Sequence, residues 1–158
     1  MTDTLTLGTA APDFSMPTAG GGAIALSDLA GHWAVIYFYP KDDTPGCTKE
    51  AIAFTDHIKA FDALGAKIIG VSRDTVAKHD KFKAKHNLAV TLASDEAGKM
   101  TEDYGVWTQK SMYGKTYMGI QRATVLINPD GEIAHIWPKV RVKGHVEDVL
   151  ETLQGLAG

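Results

Sequence analysis

The residues with the clearest chemical potential lie in segment 40–50, which contains Cys47, the only cysteine of the 158-residue chain. Residues 33–39 just before it are apolar and rich in aromatic and β-branched side chains, a pattern that predicts a buried central strand. Thr44 is a favourable N-cap and Pro45 suits the first position of a helix, so we expect a helix to begin there. Cys47 then lies in the first helical turn, where free backbone N–H groups and the helix dipole stabilise a thiolate over a thiol.

The apolar pattern after Cys47 indicates where its side chain points. Apolar residues recur at helical spacing up to about Leu64, at Ala51, Phe54, Ile58 and Phe61. This stripe places the thiol above a row of core contacts, in a half-buried pocket. A lone cysteine is commonly a small buried hydrophobe, but the Thr-Pro-Gly sequence before Cys47 favours a reactive thiolate.

The order Pro-x-x-x-Thr-x-x-Cys that ends at Cys47 resembles the active-site signature of peroxiredoxins. The longer run 37–51 is similar to the Bcp/PrxQ subfamily, and the similarity continues from residues 11–14 through 122–127 to 130–131. The resemblance implies a thiol-dependent peroxidase, an antioxidant oxidoreductase. It would reduce hydrogen peroxide and small alkyl hydroperoxides through a sulfenic acid at Cys47.

Peroxide reduction at a thiolate is an in-line displacement, which needs donors that hold both peroxide oxygens in a pocket that excludes bulk water. We expect the backbone N–H groups near Gly46 and Cys47 to donate to the peroxide or to the sulfur. The Thr44 hydroxyl can accept a proton from one peroxide oxygen and donate to the other. Pro40, which has no N–H of its own, is expected to cover the pocket and shield the sulfur.

A half-buried thiolate also needs a cation, because an unpaired buried charge is costly. The resemblance implies that Arg122, at the start of the strand predicted for residues 121–127, provides it through a guanidinium that stays charged. Arg73 and Arg141 are less favoured candidates. Glu50 lies three residues after the cysteine, on the same side of the helix, and by resemblance it helps to orient the arginine. A solvated carboxylate at a helix start is the alternative interpretation of Glu50.

The chain departs from many PrxQ-like proteins at Ile52, where a second, resolving cysteine is often found. Other relatives place that cysteine on the following helix, but this sequence contains only Cys47. A sulfenic acid at Cys47 would have no internal thiol to react with, so an external thiol should close the cycle. Thioredoxin, or glutathione with glutaredoxin, are the expected reductants, and overoxidation is expected at high peroxide. We expect a monomer, with a weak dimer as the alternative.

Other function classes would require different features of the sequence. A thioredoxin-fold binding or holdase module with a non-catalytic cysteine would react with peroxide no faster than a free thiolate. A disulfide reductase would need Cys-x-x-Cys, but Glu50 occupies the second position. A cysteine acyl-transfer enzyme would need a histidine paired with the thiol, and none is obviously placed for that role. The six histidines show no metal-binding pattern, so we expect neither a metal nor another cofactor.

Length and composition indicate one domain, residues 1–158, because a chain with 44% hydrophobic residues can form one well-buried core. Charged residues make up 22% of the chain and the formal net charge is −3, which argues against binding to nucleic acid. Residues 1–6 lack the pattern of a secretory signal, and no apolar run approaches the length that spans a bilayer. A lone cysteine fits a reducing compartment, so we expect a cytoplasmic protein.

Periodicity and turn residues predict the remaining elements. The first half has a hairpin around the glycines 20–22, a helical turn capped by Ser27, a helix end at Gly65 and a strand at 67–72. A helix then runs from Asp74 or Thr75 to about His86, with Asn87 as its stop, followed by a strand at 90–93, a helix at 96–104 and an irregular strand or loop excursion at 106–120 on the edge of the active-site face. The last elements are a strand at 121–127, a tight turn at 128–131, an antiparallel strand at 132–137 and a helix at 144–156. A βαβ half followed by a ββα half, together with the resemblance, predicts an α/β thioredoxin-like fold. We expect a central mixed β-sheet flanked by helices, with an N-terminal β-hairpin extension.

Overall fold

A computed structural model of the chain describes residues 5–157. Met1–Thr4 and Gly158 lie outside the described residues, so the prediction about a secretory signal, which rests on residues 1–6, falls largely outside them as well. Within the described range, no helix is both long enough and apolar enough to cross a membrane.

The described residues contain nine strands, five α-helices and one 3-10 turn, Leu26–Leu29. The strands are β1 (Ser15–Pro17), β2 (Ala23–Ala25), β3 (Trp33–Phe38), β4 (Ala66–Ser72), β5 (Thr91–Ser94), β6 (Trp107–Met112), β7 (Lys115–Ile120), β8 (Ala123–Ile127) and β9 (Ile133–Trp137). The helices are α1 (Pro45–Asp56), α2 (Ile58–Ala63), α3 (Val76–His86), α4 (Lys99–Asp103) and α5 (His145–Ala157).

Five strands form the central sheet in the order β5–β4–β3–β8–β9, with β3 in the middle. β4 runs parallel to β3 and β5 runs parallel to β4, whereas β8 is antiparallel to β3 and β9 is antiparallel to β8. β1 pairs with β2 in an antiparallel hairpin ahead of this sheet, and β6 pairs with β7 in a second hairpin. The predicted mixed sheet flanked by helices, with an N-terminal hairpin extension, is therefore confirmed.

β3 organises the hydrophobic core because its side chains alternate between the two faces of the sheet. Ile36 and Phe38 belong to a buried cluster on one face, together with the N-terminal segment and α4. Tyr37 belongs to the cluster on the other face, which includes residues of α1, α2, α3 and α5. The Tyr37 ring stacks on Phe54 of α1, with ring centroids 4.6 Å apart. Since Cys47 lies at the start of α1, the packing of this helix on β3 sets the position of the thiol.

The long helix predicted after Cys47 is in fact two helices. α1 ends and α2 begins on either side of His57, whose Nδ1 lies 2.9 Å from the carbonyl oxygen of Ala53. A side chain that inserts into the backbone hydrogen-bond ladder is a common cause of a helix kink. The predicted stop at Gly65 is confirmed, because this residue has a φ of 73°.

Two helix starts differ from the predictions. Ser27 lies inside the 3-10 turn instead of capping it, because Asp28 accepts the N–H of Ala25. α4 is shorter than predicted and begins at Lys99, where the carboxylate of Asp95 accepts two N–H groups of the first turn. In both places a carboxylate satisfies N–H groups that a helix start leaves without a partner.

Most turn residues act as predicted, and residues 106–120 have a more regular structure than predicted. Thr75 is the N-cap of α3 and accepts an N–H of its first turn, while Asn87 ends that helix with a φ of 51°. Residues 106–120, predicted as an irregular excursion, form the hairpin of β6 and β7. Its two turn residues, Tyr113 and Gly114, both have positive φ, as a two-residue hairpin turn requires.

Two buried tyrosines on β3 and just after it allow a matched test of stability. The Tyr37 hydroxyl is buried with no hydrogen-bond partner among residues 5–157, whereas the Tyr39 hydroxyl donates to Asp42 at 2.6 Å. We expect Tyr37→Phe to leave the free energy of unfolding unchanged or to raise it by about 1 kcal/mol, because it removes an unsatisfied polar group. Tyr39→Phe should lower it by about 2 kcal/mol, since it removes a hydrogen bond to a charged acceptor. Urea denaturation of both variants measures the difference, and equal losses would contradict it.

Candidate active site

Cys47 lies in the first turn of α1, close to the end of β3. Thr44 is the N-cap and Pro45 is the first helical residue, as predicted. The first hydrogen bond of this helix joins the Thr48 N–H to the Thr44 carbonyl at 2.9 Å, so the N–H groups of Gly46 and Cys47 have no acceptor within the helix. Cys47 is only 2% exposed, which places the sulfur deeper than the half-buried position expected from the sequence.

Arg122 reaches the sulfur from the neighbouring strand. It directly precedes β8, and the pairing of Ala123 with Phe38 places it beside the loop that follows β3. Its Nη2 donates to Cys47 Sγ at 3.2 Å. A Cβ atom added to Gly46 would lie only 3.2 Å from that same Nη2. Glycine at this position therefore allows the guanidinium to come close to the helix start.

Glu50 binds the other side of the same guanidinium. Arg122 Nη1 donates to Glu50 Oε1 at 2.6 Å, and the glutamate side chain is fully buried whereas that of the arginine is 15% exposed. The second carboxylate oxygen of Glu50, Oε2, has no hydrogen-bond partner within the described part of the chain. Glu50 is thus a buried partner of the arginine, and the alternative of a solvated carboxylate is wrong.

Burial dominates the acid–base behaviour of this pair. It raises the pKa of Glu50 from 4.5 to about 7, although the positive charge of Arg122 opposes the rise. Burial opposes the charge of Arg122 as well, but Glu50 and Cys47 raise the pKa of the guanidinium above its usual value. Arg122 is therefore a permanent cation between a thiol and a carboxyl.

The hydroxyl of Thr44 does not cap α1. It donates instead to the carbonyl of Lys41, with Oγ1 2.8 Å from the oxygen. This bond uses the only hydrogen of the hydroxyl, so Thr44 is free to accept a hydrogen bond from a peroxide but not to donate to its other oxygen at the same time. In this arrangement only the accepting half of the predicted role is available.

The other residues named from the sequence are exposed or contact other side chains. Pro40 is exposed, so its ring can form only an outer wall of the pocket. Ile52, at the position of the second cysteine in many relatives, is 37% exposed on α1. The guanidinium of Arg73 lies 3.3 Å from the centroid of the Trp107 ring, a cation–π contact. Arg141 is exposed on the segment before α5.

Three polar residues beside the site were not assigned a role there from the sequence. Asp42 is buried, its Oδ2 lies 2.6 Å from His79 Nδ1, and its backbone N–H donates to Asp74 Oδ2 at 2.8 Å. The sequence pattern predicts Asp74 only as a possible helix start and gives His79 no specific role. The sequence signal that could have identified the two aspartates was their position. Asp42 and Asp74 follow parallel neighbouring strands, and the carboxyl ends of these strands meet at one edge of the sheet.

A second cation, Lys110 on β6, lies near the arginine. Burial lowers the pKa of Lys110, Arg122 acts in the same direction, and Cys47 opposes both. The β6–β7 hairpin therefore borders the site, where the sequence placed the excursion. Within residues 5–157 there is no group of three or more His, Cys, Asp or Glu side chains arranged to hold a metal ion.

Comparison with known proteins identifies the family of the chain. A model of the AhpC/TSA family matches residues 7–136. Peroxiredoxin Bcp of Bacillus subtilis is 47% identical over 154 residues, which cover 98% of each chain, and that of Xanthomonas campestris is 46% identical over 158 residues, which cover 99% of each. A solved structure of the Xanthomonas campestris bacterioferritin comigratory protein superposes with a TM-score of 0.90 at 45% identity and 98% coverage of both chains. A PrxQ mutant from Xylella fastidiosa gives 0.93 at 35% identity, again with 98% coverage of both.

The chain therefore belongs to the AhpC/TSA family of peroxiredoxins. Within that family it is a Bcp/PrxQ-type member with one cysteine, and its thioredoxin-like fold is the one predicted. It is a thiol-dependent peroxidase, an antioxidant oxidoreductase, as the resemblance of segment 37–51 implied.

Glu50→Gln tests how burial affects the carboxyl next to the arginine. The folded protein holds a proton on Glu50 up to about pH 7, whereas the unfolded chain releases it near pH 4.5. The stability linked to this proton is full below pH 4.5 and is lost as the pH rises through about 7. Relative to Glu50→Gln, the wild type should lose up to about 3 kcal/mol of unfolding free energy across this range. Urea denaturation at several pH values measures it, and a difference independent of pH would contradict the prediction.

Proposed function

We propose that the chain reduces hydrogen peroxide and small alkyl hydroperoxides at Cys47 and is returned to its reduced form by an external thiol. The observation that carries this proposal is the bond from Arg122 to the sulfur of the chain's single cysteine. The Xanthomonas campestris relative described above was studied for its alkyl peroxide reduction activity, which supports alkyl hydroperoxides as substrates here.

In the first step the Cys47 thiolate attacks the nearer peroxide oxygen. A sulfur–oxygen bond forms, the oxygen–oxygen bond breaks, and the second oxygen leaves as an alkoxide or hydroxide that takes up a proton. The sulfur loses two electrons and becomes a sulfenic acid, while the peroxide is reduced to an alcohol or to water. The Arg122 guanidinium stabilises the thiolate and keeps further donors for the charge that develops on the leaving oxygen.

The neighbouring residues position the peroxide for this attack. Thr44 accepts a hydrogen bond from the peroxide O–H, since its own hydrogen is already bound by Lys41. The free N–H groups of Gly46 and Cys47 at the helix start donate to the peroxide or to the sulfur. Glu50 holds the guanidinium in place from the opposite side. Pro40 contributes the outer wall of the pocket.

In the second step an external thiol attacks the sulfur of the sulfenic acid. Water leaves, a mixed disulfide forms, and a second thiol then releases Cys47 in its reduced form and departs as a disulfide. Because the cysteine is only 2% exposed, the site must open before a protein thiol such as that of thioredoxin can reach it. Glutathione, which glutaredoxin would assist, is smaller and needs less opening. A reductant screen with both systems distinguishes them.

The lone cysteine has consequences for overoxidation and for the cellular compartment. With Ile52 at the usual position of a resolving cysteine, the sulfenic acid persists until an external thiol arrives, so high peroxide should overoxidise it. A dependence on external thiols fits a cytoplasmic enzyme. We further propose that the chain acts as one domain and as a monomer, without a metal or other cofactor.

Stopped-flow mixing of the reduced protein with hydrogen peroxide, followed by intact mass, tests the function. We expect oxidation far faster than that of free cysteine, ending with one oxygen added at Cys47. Cys47→Ser should retain the fold and lose all thiol-dependent turnover, because no other residue can form the sulfenic acid. Oxidation of the wild type at the rate of a free thiol would instead favour a binding module with a non-catalytic cysteine.

Arg122→Met tests the role of the guanidinium. We expect oxidation by peroxide to slow by about a hundredfold or more, because the variant removes the donor to both the thiolate and the leaving oxygen. Arg122→Lys should recover only part of the rate, since an ammonium cannot bind Cys47 and Glu50 as a fork. The exposed Arg141→Met serves as the matched control. If Arg122→Met reacts as fast as this control, the cation is supplied elsewhere.

A further inference from the structure

The loop of residues 40–44 carries Thr44 but lies outside the helices and strands. Two of its five residues, Asp42 and Thr44, have hydrogen bonds that involve the same peptide group, the one between Lys41 and Asp42. The carbonyl of this peptide accepts the Thr44 hydroxyl at 2.8 Å. Its N–H donates to Asp74 Oδ2, also at 2.8 Å. Because a peptide group is planar, the direction of its N–H fixes the direction of its carbonyl.

Asp74 is itself held firmly at the edge of the sheet. Its Oδ2 accepts the hydroxyl of Ser72, the last residue of β4, at 2.7 Å. Its backbone carbonyl accepts the hydroxyl of Ser94, the last residue of β5, at 2.6 Å. The acceptor that fixes the Lys41–Asp42 peptide is thus anchored on two strands of the central sheet.

The side chain of Asp42 is fixed independently of its backbone. Oδ1 accepts the Tyr39 hydroxyl at 2.6 Å, and Oδ2 lies 2.6 Å from His79 Nδ1. The other ring nitrogen of this fully buried histidine, Nε2, lies 2.9 Å from the carbonyl oxygen of Ala93. Both ring nitrogens therefore face hydrogen-bond acceptors. The loop is thus held at Asp42 by Tyr39, which follows β3, and by His79 of α3, which in turn contacts β5.

We infer that Asp74 is a positioning residue for peroxide reduction, and that it orients the Thr44 hydroxyl through the Lys41–Asp42 peptide. The inference rests on the role proposed for Thr44 as the acceptor of the peroxide O–H. With Asp74 in place, the hydroxyl points its hydrogen at Lys41 and its lone pairs at the pocket. Without the carboxylate, the peptide can rotate and the direction of the hydroxyl is no longer fixed.

The effect of Asp74 is separable from activation of the thiol. The thiolate is stabilised by Arg122 and by the helix start, and among residues 5–157 none of the hydrogen bonds of Asp74 involves Cys47 or Arg122. Loss of Asp74 should therefore slow a reaction that needs an oriented peroxide. It should leave unchanged a reaction that needs only a thiolate, such as alkylation by iodoacetamide.

The test compares the rate of Cys47 oxidation by hydrogen peroxide with the rate of its alkylation at the same pH. We expect Asp74→Ala to slow oxidation by about tenfold to a hundredfold, the usual cost of misplacing a reacting group, with alkylation unchanged. Asp74→Asn keeps an acceptor for the N–H and should recover most of the oxidation rate. Asp43→Asn, on the same loop but paired with exposed Lys85 and half-buried His86, is the matched control. Should Asp74→Ala not fold, Asp74→Glu, which displaces the carboxylate, should show the same selective loss.

A double mutant of Thr44 and Asp74 tests whether Asp74 acts through Thr44. In a Thr44→Val background, Asp74→Ala should slow oxidation no further, because there is no hydroxyl left to orient. An equal slowing in both backgrounds, or a parallel loss of alkylation, would overturn the inference. A wild type that reacts with peroxide as slowly as free cysteine would overturn the proposed function itself. A fast wild type with an equally fast Asp74→Ala would overturn only the role of Asp74.

Discussion

A single guanidinium has to serve two acidic groups that the fold removes from water. Arg122 donates to both Cys47 and Glu50, and both of these residues are buried. A buried thiolate or carboxylate without a cation would be too costly to keep charged. The position of Arg122 therefore decides whether the site can exist, and that position depends on the sheet. β8 must lie antiparallel to β3, in the register that sets Ala123 opposite Phe38.

The parallel half of the sheet has a different task, which is to fix the loop between β3 and α1. Because β3 and β4 are parallel, their carboxyl ends meet, and Asp42 after one strand contacts Asp74 after the other. Two neighbouring carboxylates would repel, but the contact is made by the N–H of Asp42. Its carboxylate is directed instead toward Tyr39 and His79. The antiparallel half thus supplies the charge of the site and the parallel half supplies its geometry.

Features determined by neighbouring residues in the chain could be predicted from the sequence. The start of α1 at Pro45 and the helix end at Gly65 follow from local backbone preferences, and the resemblance pointed to Arg122. The orientation of the Thr44 hydroxyl could not be predicted, because its acceptor is a carbonyl that any residue could supply. The role of Asp74 was hidden for the same reason, since its partner is a backbone N–H. A hydrogen bond between a side chain and the backbone of a distant segment is hard to predict from the sequence, because most residue types can supply the backbone group.

The shared guanidinium also couples the charge of Glu50 to the redox state of Cys47. With both acidic groups ionised, one cation faces two anions, and burial already raises the pKa of Glu50 to about 7. A proton on Glu50 leaves the guanidinium to the thiolate alone. When the sulfur becomes a sulfenic acid it loses its negative charge, so an ionised Glu50 then forms a neutral pair with Arg122. Oxidation should therefore favour release of the Glu50 proton, and the pocket would exchange one anion for another around the same fixed cation.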